Sequence, residues 1–159
     1  MTRKTAFRST FEPLERRETP SQGAALHQVL PLQGSGTAQT SPLITLPAPG
    51  SYVIIQNIQG SAAGVSTFTG QGGVNVTLHH DAIGNVNLTL ADGNQLVVRL
   101  KGKLHTPHFQ GNPATASGTF RVLNGTGVYF GATGKGHIRG QIDQTTGAAT
   151  FTFRGKIVL

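Results

Sequence analysis

Carboxylates, the usual acids and bases of hydrolytic enzymes, are scarce after residue 22 of this chain. Only Asp81, Asp92 and Asp143 remain, and each stands among residues typical of turns, where Asp hydrogen-bonds to its own backbone. Acid–base chemistry of the glycosidase type needs two carboxylates held close together. Turn residues from different hairpins could meet at one end of a domain, but we interpret all three as turn residues and predict no catalytic residue.

Histidine is the more promising titratable type, with His79, His80, His105, His108 and His137 in residues 51–159. Adjacent strand residues point to opposite faces, so His79 and His80 cannot bind one metal ion together. His105 and His108 could share a transition metal with a third ligand, but no His or acidic residue stands nearby at ligand spacing. We therefore predict no metal site and no cofactor. His80, predicted to point inward near a strand end, is either a general base in a pocket or, as we favour, a hydrogen-bonded rim residue.

Glycines and cysteines exclude two further kinds of site. A phosphate-binding glycine loop is followed by a helix whose N-terminus faces the anion, whereas residues 135–142 have the alternation of a strand. The chain contains no cysteine, so disulfides and cysteine-bound zinc are excluded. The glycines considered for the phosphate loop are Gly125, Gly127, Gly131, Gly134, Gly136 and Gly140.

The elements that must position any site are strands, because apolar and polar residues alternate with period two. In residues 149–157 every second residue is apolar or small, and Thr150, Thr152, Arg154 and Lys156 lie between them. The 22 glycines and the 12% charged residues agree with a β-rich domain. We predict an all-β fold over residues 51–159, an eight-stranded antiparallel up-and-down β-barrel. The predicted strands are residues 52–59, 64–69, 73–80, 85–91, 95–105, 115–123, 135–142 and 149–158.

The first fifty residues are predicted to lie outside the barrel. Residues 1–22 form a basic leader that lacks the apolar stretch of an ordinary secretory signal. Residues 23–50 hold four prolines among Ser, Thr, Gln and Gly and are predicted to be a disordered linker, with Leu43, Ile44 and Leu46 as a candidate edge strand or staple. No stretch approaches the ~20 apolar residues of a transmembrane helix, so we predict no transmembrane segment.

Alternation also assigns the two faces of the sheet. The predicted core is Val74, Val76, Leu78, Val86, Leu88, Leu90, Leu96, Val98, Leu100, Leu104, Phe120, Val122, Ile138 and Ile142. The opposite face receives Arg99, Lys101, Lys103, Arg121, Lys135, His137, Arg139, Arg154 and Lys156. In a chain of net charge +7, this basic surface serves either solubility or the binding of an acidic polymer. Specific nucleic-acid binding is not predicted, because the phenylalanines fall mostly on the core face and offer no stacking platform.

A small hydrophobic ligand inside the barrel is the alternative partner. It would need an open lumen of ~300 Å³ or more with a few convergent polar groups. The predicted strand 52–59 has polar residues on both faces. We therefore name Tyr52, Gln56, Asn57 and His80 as the candidates to line such a lumen.

Residues 116–159 resemble the C-terminal part of the allene oxide cyclase and dirigent barrel superfamily. The resemblance implies an eight-stranded antiparallel barrel, often a homo-oligomer, with a hydrophobic lumen in which polar and acidic groups steer the cyclisation or coupling of small molecules. No acidic residue is predicted to face inward here, so we do not carry catalysis over. Val128, Tyr129 and Phe130 are predicted to plug one barrel end. The matching residues are Gly125, Thr126, Gly127, Phe130, Gly131, Ala132 and Gly134 of the loop and Thr146, Gly147 and Phe151 of the last hairpin.

Residues 11–21, FEPLERRETPS, resemble the leader of exported planctomycete proteins, with Glu18 and Thr19 in place of the usual apolar residues. The resemblance implies a bacterial protein of the cell envelope or the extracellular space; without it, the segment would be a disordered basic tail. The sequence thus predicts an exported, non-enzymatic barrel that either has a structural role in the cell envelope or binds an apolar or anionic partner. The alternative is a dirigent-like or cyclase-like barrel that binds or isomerises a small hydrophobic molecule.

Overall fold

Eight antiparallel strands form a closed barrel in which each strand pairs with its neighbours in the sequence and β1 pairs with β8. The structure, a computed structural model, describes residues 28–41, 51–105 and 113–159. This topology confirms the predicted all-β, up-and-down barrel. The strands are β1 (Val29–Thr40), β2 (Ser51–Ala63), β3 (Ser66–Val76), β4 (Asp81–Leu90), β5 (Gln95–His105), β6 (Ala114–Gly125), β7 (Thr133–Ile142) and β8 (Ala148–Val158).

Strand β1 lies within the segment predicted to be a linker, so that prediction is wrong for residues 29–40. Three successive inward positions of β1 carry the small residues Gly34, Gly36 and Ala38, and therefore the apolar alternation typical of a strand is weak. Pro31 is tolerated because it precedes Gln33, the first residue of β1 that pairs with β2. The leader and the candidate edge strand at residues 43–46 lie outside the described residues.

Strand β3 joins two runs that the sequence analysis separated, so the count of eight was reached by omitting β1 and splitting β3. The glycines of residues 70–73, where the sequence analysis ended one predicted strand at residue 69 and began the next at residue 73, stay extended because both neighbouring strands pair with them, as in Gly72 with Ile55 and with Val86. Since β3 ends at Val76, Leu78 falls in the turn before β4 and is 64% exposed. Its predicted place in the core is therefore wrong.

A bulge in β2 explains why its polar residues occur on both faces. The pairing of β2 shifts by one residue between Ile55 and Ile58, and Asn57 adopts a positive φ of 49°, which asparagine tolerates better than most residues. Ile55 and Ile58 therefore both point inward, although they are three residues apart. Gln56 and Asn57 form the bulge and are exposed.

The interior is packed by phenylalanines that lie against glycines. Each of four inward Phe residues is directly paired with a Gly on a neighbouring strand. A Cβ at Gly36 or Gly136 would come within 2.6 Å of the ring of its partner, so only glycine leaves room for the ring. Phe153 also contacts Phe68, Phe120 and Phe151, with ring centroids 5.9, 6.1 and 6.3 Å away. The four pairs are Gly34–Phe153, Gly36–Phe151, Gly60–Phe68 and Gly136–Phe120.

The connection between β6 and β7 closes one end of the barrel, which we call the upper end. Residues Gly127–Tyr129 form a single turn of 3₁₀ helix. Tyr129 is 8% exposed and belongs to the core, whereas Val128 and Phe130 are 69% and 82% exposed. The predicted plug is thus confirmed for Tyr129 and wrong for its two neighbours. The opposite end, where β3 turns into β4 and β7 into β8, is the lower end.

Candidate functional site

An apolar cavity of about 220 Å³ lies inside the barrel. All eight strands contribute to its lining, which extends to Thr40, Val76, Leu104 and Ile142 at the lower end. Tyr129, which closes the upper end, is not part of the lining. The side chains that surround the middle of the cavity include Ile55, Phe68, Leu88, Val98, Leu100 and Phe120.

Bare backbone forms one side of this cavity. Gly102 of β5 and Gly118 of β6 are directly paired, and neither has a side chain. Lys101, Lys103 and Ser117 flank these glycines and border the cavity, but all three are exposed. They stand at outward positions of their strands, so their side chains do not enter the interior.

Thr40 is the buried polar residue of the cavity wall. Its hydroxyl donates a hydrogen bond to the carbonyl oxygen of Gly147 at 3.1 Å, and its backbone N–H donates to the same oxygen at 2.8 Å. The hydroxyl oxygen can still accept a hydrogen bond from a molecule in the cavity. Sequence reasoning missed Thr40 because it placed residues 23–50 in a linker.

None of the four polar residues predicted to line the lumen belongs to the cavity wall in the described structure. Tyr52 is 59% exposed, and its ring covers the outer side of Gly73. Gln56 and Asn57 form the exposed bulge of β2. The structure therefore corrects their predicted positions, because the bulge and the outward phase of β2 carry these side chains away from the interior.

His80 lies in the turn between β3 and β4, with a φ of 60°. Its backbone N–H donates to the Thr77 carbonyl, and its own carbonyl accepts from the Leu104 N–H, each at 2.9 Å. The side chain is half-buried at the lower end, outside the cavity wall. Because β3 ends at Val76, the strand phase that would have turned His80 inward does not reach it.

Asn57 instead borders an open depression on the outer wall near the lower end, lined by both polar and small apolar residues. Thr37, Gln59 and Gln141 stand beside it, with Asp143 at one edge. Asp143 accepts hydrogen bonds from the backbone N–H groups of Thr145 and Thr146, both 2.8 Å from its Oδ1. These bonds, that of Thr146 above all, hold the pKa of Asp143 below its usual value.

In the described ranges, the carboxylates and histidines form no group of three that could hold a metal ion. Asp92, in the turn between β4 and β5, accepts hydrogen bonds from the backbone N–H and the side-chain amide of Asn94, which lower its pKa. Asp92 and Asp143 thus have the turn role that the sequence predicted. His105 is exposed at the end of β5, and His108 lies outside the described residues.

All nine residues of the predicted basic surface point outward and are exposed. They occupy neighbouring strands β5, β6, β7 and β8. The structure thus brings together the side chains that the sequence assigned to one face. The residues are Arg99, Lys101, Lys103, Arg121, Lys135, His137, Arg139, Arg154 and Lys156.

The barrel has the fold of a dirigent protein. It is similar to the pterocarpan synthase dirigent protein GePTS1, with a TM-score of 0.51 and 13% identity over 83% of this chain and 84% of that chain. A second structure, the pterocarpan synthase dirigent protein PsPTS1, has a TM-score of 0.49 and 14% identity over 82% of this chain and 94% of that chain. No protein-family model and no curated protein matches the sequence. The described residues include no helix of the length and apolarity needed to cross a bilayer.

Proposed function

We propose that the barrel binds one small, mostly apolar molecule in its interior and acts as a binding protein rather than as an enzyme. The observation that carries this proposal is the apolar cavity of about 220 Å³. A cavity of ~150 Å³ accommodates benzene, whereas pockets for drug-sized ligands begin at ~300 Å³. The cavity therefore suits a molecule with a single substituted ring.

The chemistry of the wall supports binding without catalysis. Proton transfer requires a titratable side chain within hydrogen-bonding reach of the reacting atom. Among the described residues, no Asp, His or Tyr belongs to the wall, and the two lysines that border it carry exposed side chains. The Thr40 hydroxyl is a buried polar group suited to orienting a ligand that donates one hydrogen bond.

The similar structure GePTS1 is named a pterocarpan synthase, so one barrel of this fold acts in the synthesis of a small organic molecule. That name supports a small organic ligand for this chain. It does not transfer the reaction, because fold alone does not determine function.

Methyl NMR spectra with toluene and with 1-methylnaphthalene test this proposal. We expect toluene to shift the methyl signals of Leu88, Val98 and Leu100, which face the cavity. We expect the two-ring probe to cause much smaller shifts, because it exceeds the available volume. If neither probe shifts these signals, or if the shifts map to the outer wall, the interior is not a binding site.

A matched pair of variants on β6 provides the control. Ala116 lines the cavity and Thr115, its neighbour, points outward. We expect Ala116→Leu to weaken toluene binding about ten-fold or more, because the added side chain fills space that the ring needs, and Thr115→Leu to leave it unchanged. Equal effects of the two substitutions would contradict an interior site.

A further inference from the structure

Lys and Arg residues on the outer face of β5–β8 form a regular grid. Arg99, Arg121, Lys135 and Lys156 are directly opposite one another on four consecutive strands. With strands ~4.8 Å apart, this row places four positive charges along ~14 Å. Two parallel rows follow at intervals of two residues, Lys101–Thr119–His137–Arg154 and Lys103–Ser117–Arg139–Thr152. We call these twelve positions the basic grid.

The grid holds every Lys and Arg of the chain after residue 22, eight in all. Among the described residues, β1, β2 and β3 carry no charged side chain, and β4 carries Asp81 alone. Within the described ranges, Asp81 forms an ion pair with Lys103, in which Oδ1 of Asp81 lies 3.8 Å from Nζ of Lys103. Both side chains are more than half exposed. The positive charge is therefore concentrated on one half of the barrel and is largely uncompensated by neighbouring carboxylates.

Solubility alone does not explain this arrangement. A soluble surface needs dispersed charges of both signs, whereas like charges placed directly opposite on neighbouring strands destabilise a sheet. The first row contains three such contacts in succession. A linear polyanion that crosses the strands would meet a cation on each of them and would relieve this repulsion.

The other grid positions identify the kind of polyanion. They carry Thr119, Ser117, Thr152 and His137. The grid thus has no Phe, Tyr or Trp on which nucleic-acid bases could stack, and no apolar side chain that could enter a membrane. Hydroxyl groups between cations suit a partner that carries both hydroxyls and carboxylates or sulfates.

We propose that the basic grid binds an acidic polysaccharide whose chain runs across β5, β6, β7 and β8. This site is separate from the interior cavity and does not depend on the function proposed for it. The export predicted from the leader, residues 1–22, agrees with a partner found outside the cytoplasm.

Calorimetric titration of the full chain with a polyuronate, alginate oligomers, tests the proposal, with dextran as the uncharged comparison. The first variant, Arg121→Gln with Lys135→Gln, removes two adjacent cations of the complete row. The matched control, Gln71→Glu with Asn87→Glu, lowers the net charge equally on the outer face of β3 and β4, where these two residues are paired. We expect about ten-fold weaker binding for the first variant and less than about two-fold for the control, because each cation removed from the grid also removes the counterion release that favours its contact with the polyanion.

Several results would overturn the proposal. Equal losses in the two variants would mean that net charge alone attracts the polymer, and binding of dextran would mean that charge plays no part. Tighter binding of a single-stranded oligonucleotide of equal charge, or of phosphatidylserine vesicles, would assign the grid to nucleic acid or to a membrane. Alginate binding that is strong at low salt, weak at physiological ionic strength and sensitive to the Arg121→Gln, Lys135→Gln variant would support it.

Discussion

Strands β1–β4 and β5–β8 form two halves of one barrel that have the same kind of interior and different exteriors. Inside, both halves contribute apolar side chains and both contain glycines packed against phenylalanine rings. Outside, the described part of the first half carries mainly Gln, Asn, Ser and Thr, with a few exposed apolar residues such as Ile54 and Ile83 and one acid, Asp81, whereas the second half carries the basic grid. The comparison shows that barrel closure constrains only the inward positions, so the outward positions of the two halves can serve different partners.

The largest expected effect tests the likeness of the two interiors. Gly36, in the first half, and Gly136, in the second, have nearly the same surroundings: a Cβ at either would collide with a carbonyl oxygen of the next strand and lie 2.6 Å from a phenylalanine Cζ. We expect Gly36→Ala and Gly136→Ala each to lower the free energy of unfolding by about 1–3 kcal/mol through overpacking. Urea unfolding measures both values.

Ser35→Ala, an outward change next to Gly36, is the control and is expected to stay within about 0.5 kcal/mol of the unchanged protein. A large effect at one glycine and none at the other would show that the two halves differ inside as well. In that case the two halves would differ in the packing of their interiors as well as in the charge of their outer faces.

A charge reversal tests the difference between the exteriors and has a smaller expected effect. Lys135 lies between Arg121 and Lys156 in the first row of the grid. Lys135→Glu would replace two repulsive contacts by attractive ones, so we expect the free energy of unfolding to rise by about 0.5–1 kcal/mol. The same charge placed on the other half by Gln71→Glu has no described cation opposite it and is expected to change stability little.

Unfolding at low and high salt separates electrostatics from packing in this pair. The gain from Lys135→Glu should shrink in 1 M salt, where the screening length is ~3 Å. A gain that persists in high salt, or a loss of stability, would contradict repulsion within the grid. Lys135→Glu should also weaken alginate binding. A variant that is more stable but binds alginate less tightly would indicate that the basic residues of the grid serve binding rather than stability.

Sequence alone predicted the second half of the barrel better than the first. Strands β7 and β8 alternate regularly between apolar or small residues and polar ones, so period two predicted their faces, and their bounds to within two residues. In the first half, the inward Gly and Ala residues of β1 weaken the apolar alternation by which a strand is recognised. The glycines within residues 70–73 of β3 have the composition of a turn, and the bulge at Gln56 and Asn57 reverses the alternation of β2. These three features depend on pairing with neighbouring strands, which the local sequence does not contain.

The candidate sites were predicted to the same limited extent. The sequence placed nine residues on one outer face, but their alignment into rows depends on register, which the turns and the bulge in β6 between Val122 and Asn124 determine. The apolar residues predicted to be core, such as Leu88 and Val98, prove to line the cavity. The inserted residue in β2 carries Gln56 and Asn57 outward, and the early end of β3 leaves His80 in a turn. Tyr52 lies in the regular part of β2, at an outward position.

The smallest expected effect concerns the upper end, which the second half closes with Tyr129. Burial raises the pKa of this phenol, and the negative charge of Asp92, at the junction of β4 and β5, raises it further. The pKa of Tyr129 in the folded state therefore lies above the unfolded value of ~10. Below pH ~10 the neutral phenol makes its full contribution to the stability of the fold, and this contribution is lost as the pH rises through the folded-state pKa. We therefore expect stability to fall less steeply in alkali for Tyr129→Phe than for the unchanged protein.

Other groups titrate in the same range, so the difference between the two unfolding profiles is the quantity to measure. The tyrosinate absorbance of a Tyr52→Phe variant follows Tyr129 alone. Identical alkaline profiles, or a phenol that ionises at or below pH ~10, would mean that Tyr129 is not held inside the barrel and that the second half does not supply its plug.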